Sequence, residues 1–360
     1  MAKALTNAHG NFLAERRAPV VIVTSAAGAV TDSRPNEVPD LSGTDFVAAL
    51  DIGGTKLAAA IVGGDGGLVS KTVARTEPAG GPEAALGRAL DLVEEAWGHA
   101  KRAGLKVSAL GVATKGITTE HAVHIAGMPG WERLRVPEAV RERFPGTPTA
   151  IVNDVRAAAL AEVTWGALKG STTGLYVNLG TGFAVAVVAG GQLLRGAHDA
   201  AGEVGYMVPS RQALLNHQPG DAPLEGLIGG RAIPWRTKDR LGAPTTMEGL
   251  VALAKTDGAA AQLLAEIADE IAMWVVNVAL VIDPERIVIG GGFLRWGPTL
   301  FERLEAVAER CMPFAPALVS AHFGTDSALV GAGASALALV GPPGAPDEAR
   351  VARDDGMSVH

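Results

Sequence analysis

Cysteine is nearly absent: Cys311 stands alone among 360 residues. That excludes an internal disulfide and any cysteine-cluster metal site, and it fits a reducing, cytoplasmic setting. A basic excess is also missing. With 31 Lys and Arg against 38 Asp and Glu, the net charge of −7 gives no sign of the basic face a nucleic-acid binder needs. No apolar run reaches the roughly 18 residues of a membrane span. The nearest, Ala18 to Val30, follows Arg16 and Arg17 in the order of a signal peptide, but Thr24 and Ser25 interrupt it. Residues 1–44 are therefore read as a flexible N-terminal extension ending in the polar, proline-containing stretch Thr31 to Gly43. The Pro-, Asp- and Arg-bearing tail 341–360 is read as flexible too.

What remains has ordinary globular composition, 48% hydrophobic and 19% charged, and enough length for two cores. Phe46 to Ile52 is an apolar strand candidate running into Asp51-Ile52-Gly53-Gly54-Thr55-Lys56, and Leu57 to Val62 returns. Leu175 to Leu179 and Phe183 to Ala189 repeat the arrangement around Gly180-Thr181-Gly182. Glycines at a strand turn let backbone N–H groups approach an anion, and a threonine hydroxyl adds a donor. One such turn is most simply a hairpin; two in one chain suggest two related lobes gripping a polyphosphate. Further strands are expected at Leu68 to Arg75, Val107 to Ala113, Thr149 to Asn153 and Arg286 to Ile289. Helical spacing marks Pro82 to Ala103 and a long apolar pattern Ala259 to Val281, and helices are also expected at Val155 to Ala167, from Pro298 and over the Ala-rich Ser327 to Val340. The lobes are expected over 45–155, with 327–340 returning to it, and over 156–326.

Several segments, in order, resemble the ROK family of sugar kinases and repressors from about residue 46 to 340. Asp51 to Lys56 and Gly180 to Gly182 resemble its two phosphate motifs, and Asn153-Asp154 its catalytic segment. Met128-Pro129-Gly130-Trp131 is similar to a Leu-Pro-Gly-Trp string, Gly202-Glu203-Val204-Gly205 to a sugar motif, and Ile287 to Gly292 to the adenosine-side turn. The resemblance implies an α/β, two-lobed actin-like ATPase (RNase H-like) fold with the active site in the cleft between lobes. It also implies an ATP- and Mg²⁺-dependent kinase acting on a sugar-like polyol. Homodimers are common among such proteins, so dimerisation is implied as well.

Within that reading Asp154 is the general base, since an alcohol attacking a γ-phosphate needs a carboxylate within reach of its proton. Taken without the resemblance, Asn153-Asp154 would simply cap the following helix. Gly53, Gly54, Thr55, Gly180, Thr181 and Gly182 are the implied phosphate donors, Lys56 adds charge, and Asp51 acts through hydrated Mg²⁺. Gly290, Gly291 and Gly292 receive the nucleotide, unless they form a plain strand-to-helix turn. Asn153, Glu203 and Glu225 are implied sugar contacts, the carboxylates as hydroxyl acceptors.

Three departures stand out. Tyr206 occupies the position of a histidine that helps hold zinc in many members, and Met207 to Pro223 has no cysteine, so no zinc is expected. Tyr206 either reaches the substrate or packs. Ala126-Gly127 replaces a Pro-Asn pair whose asparagine contacts sugar, so Gly127 weakens glucose recognition. Thr114-Lys115-Gly116-Ile117 departs from Gly-x-Pro-Gly, and Lys115 either pairs with a carboxylate, touches a phosphate or is solvated. Together these favour an aminosugar or a seven-carbon cyclitol of antibiotic pathways over glucose. The rivals are a zinc-free glucokinase, a sugar-sensing pseudokinase and a repressor. For the last, 44 residues are too few for a helix-turn-helix domain. Polyphosphate in place of ATP stays open.

Overall fold

In the computed structural model, residues 22–25, 46–76, 80–118, 123–124, 134–218, 220–296 and 298–340 are described. Gly127, the Met128 to Trp131 string, most of the N-terminal extension and the 341–360 tail lie outside the described residues. The chain order begins β1 (Ile22–Ser25), β2 (Phe46–Ile52), β3 (Lys56–Gly63), β4 (Leu68–Arg75), α1 (Gly81–Arg102) and β5 (Val107–Thr114). A two-stranded ribbon, β6 (Ile117–Thr118) and β7 (Val123–His124), precedes α2 (Val136–Arg143), β8 (Thr149–Asn153) and α3 (Asp154–Thr164). Next come β9 (Thr173–Leu179), β10 (Phe183–Ala189), β11 (Gln192–Leu193), α4 (Arg211–Asn216), α5 (Pro223–Ile228), α6 (Ile233–Leu241), α7 (Met247–Leu253) and α8 (Gly258–Ile282). The order closes with β12 (Arg286–Gly290), α9 (Pro298–Cys311), β13 (Ala317–Ser320) and α10 (Ser327–Val340).

Two mixed sheets carry the fold. The first runs β1-β4-β3-β2-β5-β8 and the second β11-β10-β9-β12-β13. Apart from the short β1, which pairs in parallel with β4, the two repeat one plan. An antiparallel three-strand meander is extended by two parallel strands, β2-β5-β8 in one sheet and β9-β12-β13 in the other. Parallel neighbours need a crossover, and α-helices supply it.

Alternation along the strands builds the layers. In β2, Phe46, Ala48, Leu50 and Ile52 face α1 and α2, whereas Val47 and Ala49 face the layer containing α10. In β9, Leu175, Val177 and Leu179 pack towards α8, and Tyr176 points the other way, towards α3. Period-two side-chain direction makes this division automatic. Helix α3 gives Ala157 to the core under the first sheet and Val155, Ala158 and Ala159 to the core over the second. Together with α10 it is the shared wall between the sheets. Small side chains make that possible, because bulkier ones would hold the helix axes apart.

Most helix limits follow local chemistry. Asn153 caps α3, its side chain accepting from the N–H groups of Val155 and Arg156 at 3.0 and 3.1 Å. Asp257 caps the long α8 in the same way, and Asp283 ends it in a left-handed conformation. Among the described residues, no helix is long and apolar enough to cross a membrane.

Candidate active site

Register brings the sequence-predicted residues together. Asp51 lies opposite Ala113 of β5, and Thr114 opposite Asn153 of β8, so Asp51 and Asn153-Asp154 sit at the same carboxyl end of three adjacent parallel strands. Ligand groups in open α/β sheets collect beyond such ends.

The two Gly/Thr turns share a construction. Gly53 N–H donates to the Lys56 carbonyl at 3.0 Å, and Gly180 N–H to the Gly182 carbonyl at 3.1 Å, so the first glycine of each turn closes it. The exposed tips, Gly54 and Thr55 in one and Thr181 in the other, keep backbone N–H groups that no described residue uses. Each turn is braced from outside. Buried Thr76 donates its hydroxyl to the Gly53 carbonyl at 2.8 Å and its N–H to the Thr55 carbonyl at 3.2 Å, while Arg88 holds the Thr76 carbonyl. In the second turn, Gly230 and Arg231 donate to the carbonyls of Gly180 and Thr181 at 2.9 and 3.2 Å. The third glycine turn adjoins the second. Gly291 has φ +89° and lies against the Leu179 carbonyl, where a side chain would be both strained and in collision.

The carboxylates form one electrostatic group. Asp51 is pushed up to about 7, first by burial and then by Asp154, with Lys56 pulling down and Asp326 pushing up. Asp154 is raised by burial, opposed mainly by Lys115 and by the Val155 N–H, which donates to it at 2.9 Å. Glu203 is raised by burial, then by Asp154 and Glu225. Each of the three residues is only partly buried as a whole.

Other residues fix this group in place. Asn153 Nδ2 donates to the Gly116 carbonyl at 3.0 Å and lies 3.4 Å from Glu203 Oε1, so one asparagine caps α3, ties down the segment after β5 and reaches the sugar motif. Gly205 sits between the Phe183 carbonyl and the Glu225 side chain, which draws Glu203 and Glu225 to one side of the cleft. Gly182 lies flat against the Glu225 carboxylate, and a methyl group there would collide with it. Tyr206 is half-exposed near Glu203 and Glu225, whose charges add to burial in raising its hydroxyl.

Several supporting residues escaped the sequence reading. Lys71 of β4 sits 2.6 Å from both carboxylate oxygens of Asp326, just before α10, and Lys56 lies 3.9 Å from the same aspartate. Arg156, buried in α3, pairs with Asp199 at 2.7 Å, and Arg195 holds the same carboxylate. Burial works against the Asp199 charge, yet Arg195 and Arg156 hold its carboxyl below the ordinary range. Asp199 adopts φ 59°, a position where aspartate signals a fixed turn. Among the described residues no group of three or more His, Cys, Asp or Glu side chains could hold a metal ion.

Two Gly/Thr turns of one construction thus accompany Asp51, Asp154, Glu203 and Glu225, which act on one another electrostatically, in two sheets of the same plan. The chain belongs to the ROK family, whose model matches residues 47–339. It is 28% identical over 292 residues to an N-acetylmannosamine kinase of Shigella flexneri, covering 79% of this chain and 96% of that one. It is 29% identical over 287 residues to the bifunctional enzyme NanE/NanK of Brucella melitensis, of whose length it spans only 52%, against 79% of its own. A ROK glucokinase from Streptomyces griseus, solved with glucose and AMPPNP, superposes with a TM-score of 0.68 at 25% identity, covering 81% of this chain and 99% of that one. The fold is the actin-like ATPase fold of such kinases.

Proposed function

We propose that this ROK protein transfers the γ-phosphoryl group of ATP to a primary hydroxyl of a hexose-like polyol, with Asp154 as general base. The observation that carries the reading is the placement of Asp154 at the carboxyl end of β8, raised by burial and flanked by Glu203 and Glu225. As the hydroxyl oxygen bonds to the γ-phosphorus, the bond to the β,γ-bridging oxygen breaks, the hydroxyl proton passes to Asp154, and ADP departs. A carboxylate raised by its surroundings holds that proton better than a solvated one. Glu203 and Glu225 accept hydrogen bonds from the remaining hydroxyls and orient the acceptor, while Asn153 keeps Glu203 and the Asp154 helix in register.

Gly54, Thr55 and Thr181 are the phosphate donors this reading favours, with Gly53, Gly180 and Gly182 shaping the turns and Lys56 adding charge. Gly290, Gly291 and Gly292 take the nucleotide side. The AMPPNP bound to the Streptomyces relative supports ATP as donor. Asp51 fits Mg²⁺: its carboxylate is buried enough to be pushed to about 7, and no described residue donates a hydrogen bond to it. Mg²⁺ commonly binds through one or two carboxylates, waters and substrate phosphates, and it would neutralise charge on the phosphates. The lobes meeting at this cleft are taken as 45–155 with 327–340 and 156–326, and assembly as a homodimer belongs to the same proposal.

For the acceptor we favour an aminosugar, with a seven-carbon cyclitol second. The likeness to an N-acetylmannosamine kinase supports it, as does Tyr206 beside Glu203 and Glu225 where many members have histidine. ADP release with Mg²⁺-ATP across glucose, mannose, aminosugars and seven-carbon cyclitols tests it. Turnover on an aminosugar or cyclitol well above glucose supports this choice. Preference for glucose makes the protein a zinc-free glucokinase, and silence with ATP still bound makes it a sensor.

A further inference from the structure

We propose that Lys115 and Glu225 form one donor–acceptor pair that reads a single substrate oxygen across the cleft, making Lys115 a specificity-determining residue. This rests on the kinase reading above. Lys115 follows β5 of the first sheet and Glu225 sits in α5 beside the second, so their contact bridges the cleft. Lys115 Nζ lies 3.6 Å from Glu225 Oε1, with the side chains 25% and 20% exposed. That is an ion-pair separation, longer than the roughly 2.7–2.9 Å of a charge-assisted hydrogen bond. No other described side chain or carbonyl accepts from the Lys115 ammonium. An ammonium carries three donors, and withdrawing them partly from water without acceptors is unfavourable.

A hydroxyl resolves both needs at once. It accepts from Lys115 while donating to Glu225, and its position is then set by two charges of opposite sign. The backbone around the lysine is already fixed for this. The Thr114 hydroxyl is 3.5 Å from the Lys115 carbonyl, and the next carbonyl, of Gly116, is held by Asn153. Lys115 is thus anchored through the residue adjoining the general base, so little ordering remains to be done when substrate arrives. A solvated loop lysine would have neither the pair nor the anchor.

The same ammonium is the nearby cation that favours ionised Asp154. The other groups facing Asp154 are Asp51 from β2, Glu203 ahead of the Val204–Tyr206 turn, Glu225 from α5 and Tyr176 from β9. All of these are acids, so removing Lys115 leaves no comparable positive neighbour among them.

The test uses full-length wild type, Lys115→Met and Lys115→Arg. ADP release gives kcat and KM for the best acceptor of the panel and its monodeoxy analogues, and kcat/KM is followed against pH. The Met variant is expected to raise KM at least about tenfold, with a smaller fall in kcat. For one deoxy analogue, lacking the oxygen the pair reads, wild type and Met should agree within about twofold. Arg should recover part of the loss, and the acid limb of the Met profile should move to higher pH. Lys115→Gln, which keeps a donor without charge, supplies the same readings if Met does not fold. A KM within twofold of wild type for every acceptor overturns the pair. So does a uniform rise for all analogues with an unmoved acid limb, since that is a structural role. Either result leaves wild-type turnover, and hence the kinase reading, standing; a wild type that neither binds nor phosphorylates any sugar overturns both.

Discussion

Asp51→Asn should make the ligand-free protein more stable at pH 8 and change it little near pH 4. In the folded chain the Asp51 carboxyl is pushed from 3.8 to about 7, mainly by burial and then by the Asp154 charge. The folded state therefore holds this proton more tightly than the unfolded chain does. As pH rises from about 4, the unfolded chain releases the proton first and is stabilised relative to the folded one. The loss of stability accumulates up to about pH 7 and is constant above it. At about 1.4 kcal/mol per pH unit, the full penalty is about 4 kcal/mol. Asp51 is not fully enclosed, and the asparagine amide needs partners of its own, so a net gain of about 1–3 kcal/mol is the realistic range. Urea denaturation of both proteins at pH 5 and pH 8, without Mg²⁺ or nucleotide, gives the difference directly. An Asn variant less stable than wild type at pH 8, or a difference unchanged between the two pH values, would refute the desolvation argument. The same variant should lose most Mg²⁺-dependent turnover, tying the penalty to a site that waits for a cation.

Three further outcomes follow from contacts outside the proposed base. Gly182→Ala sets a methyl group against the Glu225 carboxylate, so acceptor KM should rise about tenfold or more while nucleotide affinity, read by calorimetry, stays within about threefold. Arg156→Ala leaves Asp199 without its buried partner and should cost about 2–3 kcal/mol in urea unfolding, below the usual value for a fully buried pair because Arg195 still reaches Asp199. Thr76→Val removes the hydroxyl holding the Gly53 carbonyl, leaves the fold intact, and should raise KM for ATP with little change in the acceptor KM; equal effects on both would contradict its role as a brace for one turn.

The strands around both glycine turns were legible because local signals agreed. Alternating or continuous apolar runs set β2, β3, β9 and β10, and Gly-Thr pairs set the turns between them. Of Asn153-Asp154, read as either cap or site, Asn153 is the cap and its amide nitrogen lies 3.4 Å from Glu203, while Asp154 stands at the first helical position and accepts from the Val155 N–H. That helix ends at Thr164, three residues short of the expected Ala167, with Trp165 breaking the helical conformation. Strand β13 gave no signal, since Ala317–Ser320 is exposed at both ends and owes its form to pairing with β12. The bond from Lys71 to Asp326 joins residues 255 positions apart, and Lys115 meets Glu225 only because α5 folds over the second turn. Such partners are decided by how the sheets meet, which no window of sequence contains. Gly127, read as a weakened sugar contact, lies outside the described residues.

The central claim is that Asp154 takes the acceptor's proton during phosphoryl transfer, and the direct test compares wild type with Asp154→Asn. Both are given Mg²⁺-ATP and the best acceptor of the panel, phosphomonoester formation is followed by ³¹P NMR, and AMPPNP binding is measured by calorimetry. Wild type is expected to form a sugar phosphate, the Asn variant to form it at least about a thousandfold more slowly, and both to bind AMPPNP with affinities within a few-fold of each other. An Asn variant that phosphorylates the acceptor at a near-normal rate would contradict the claim.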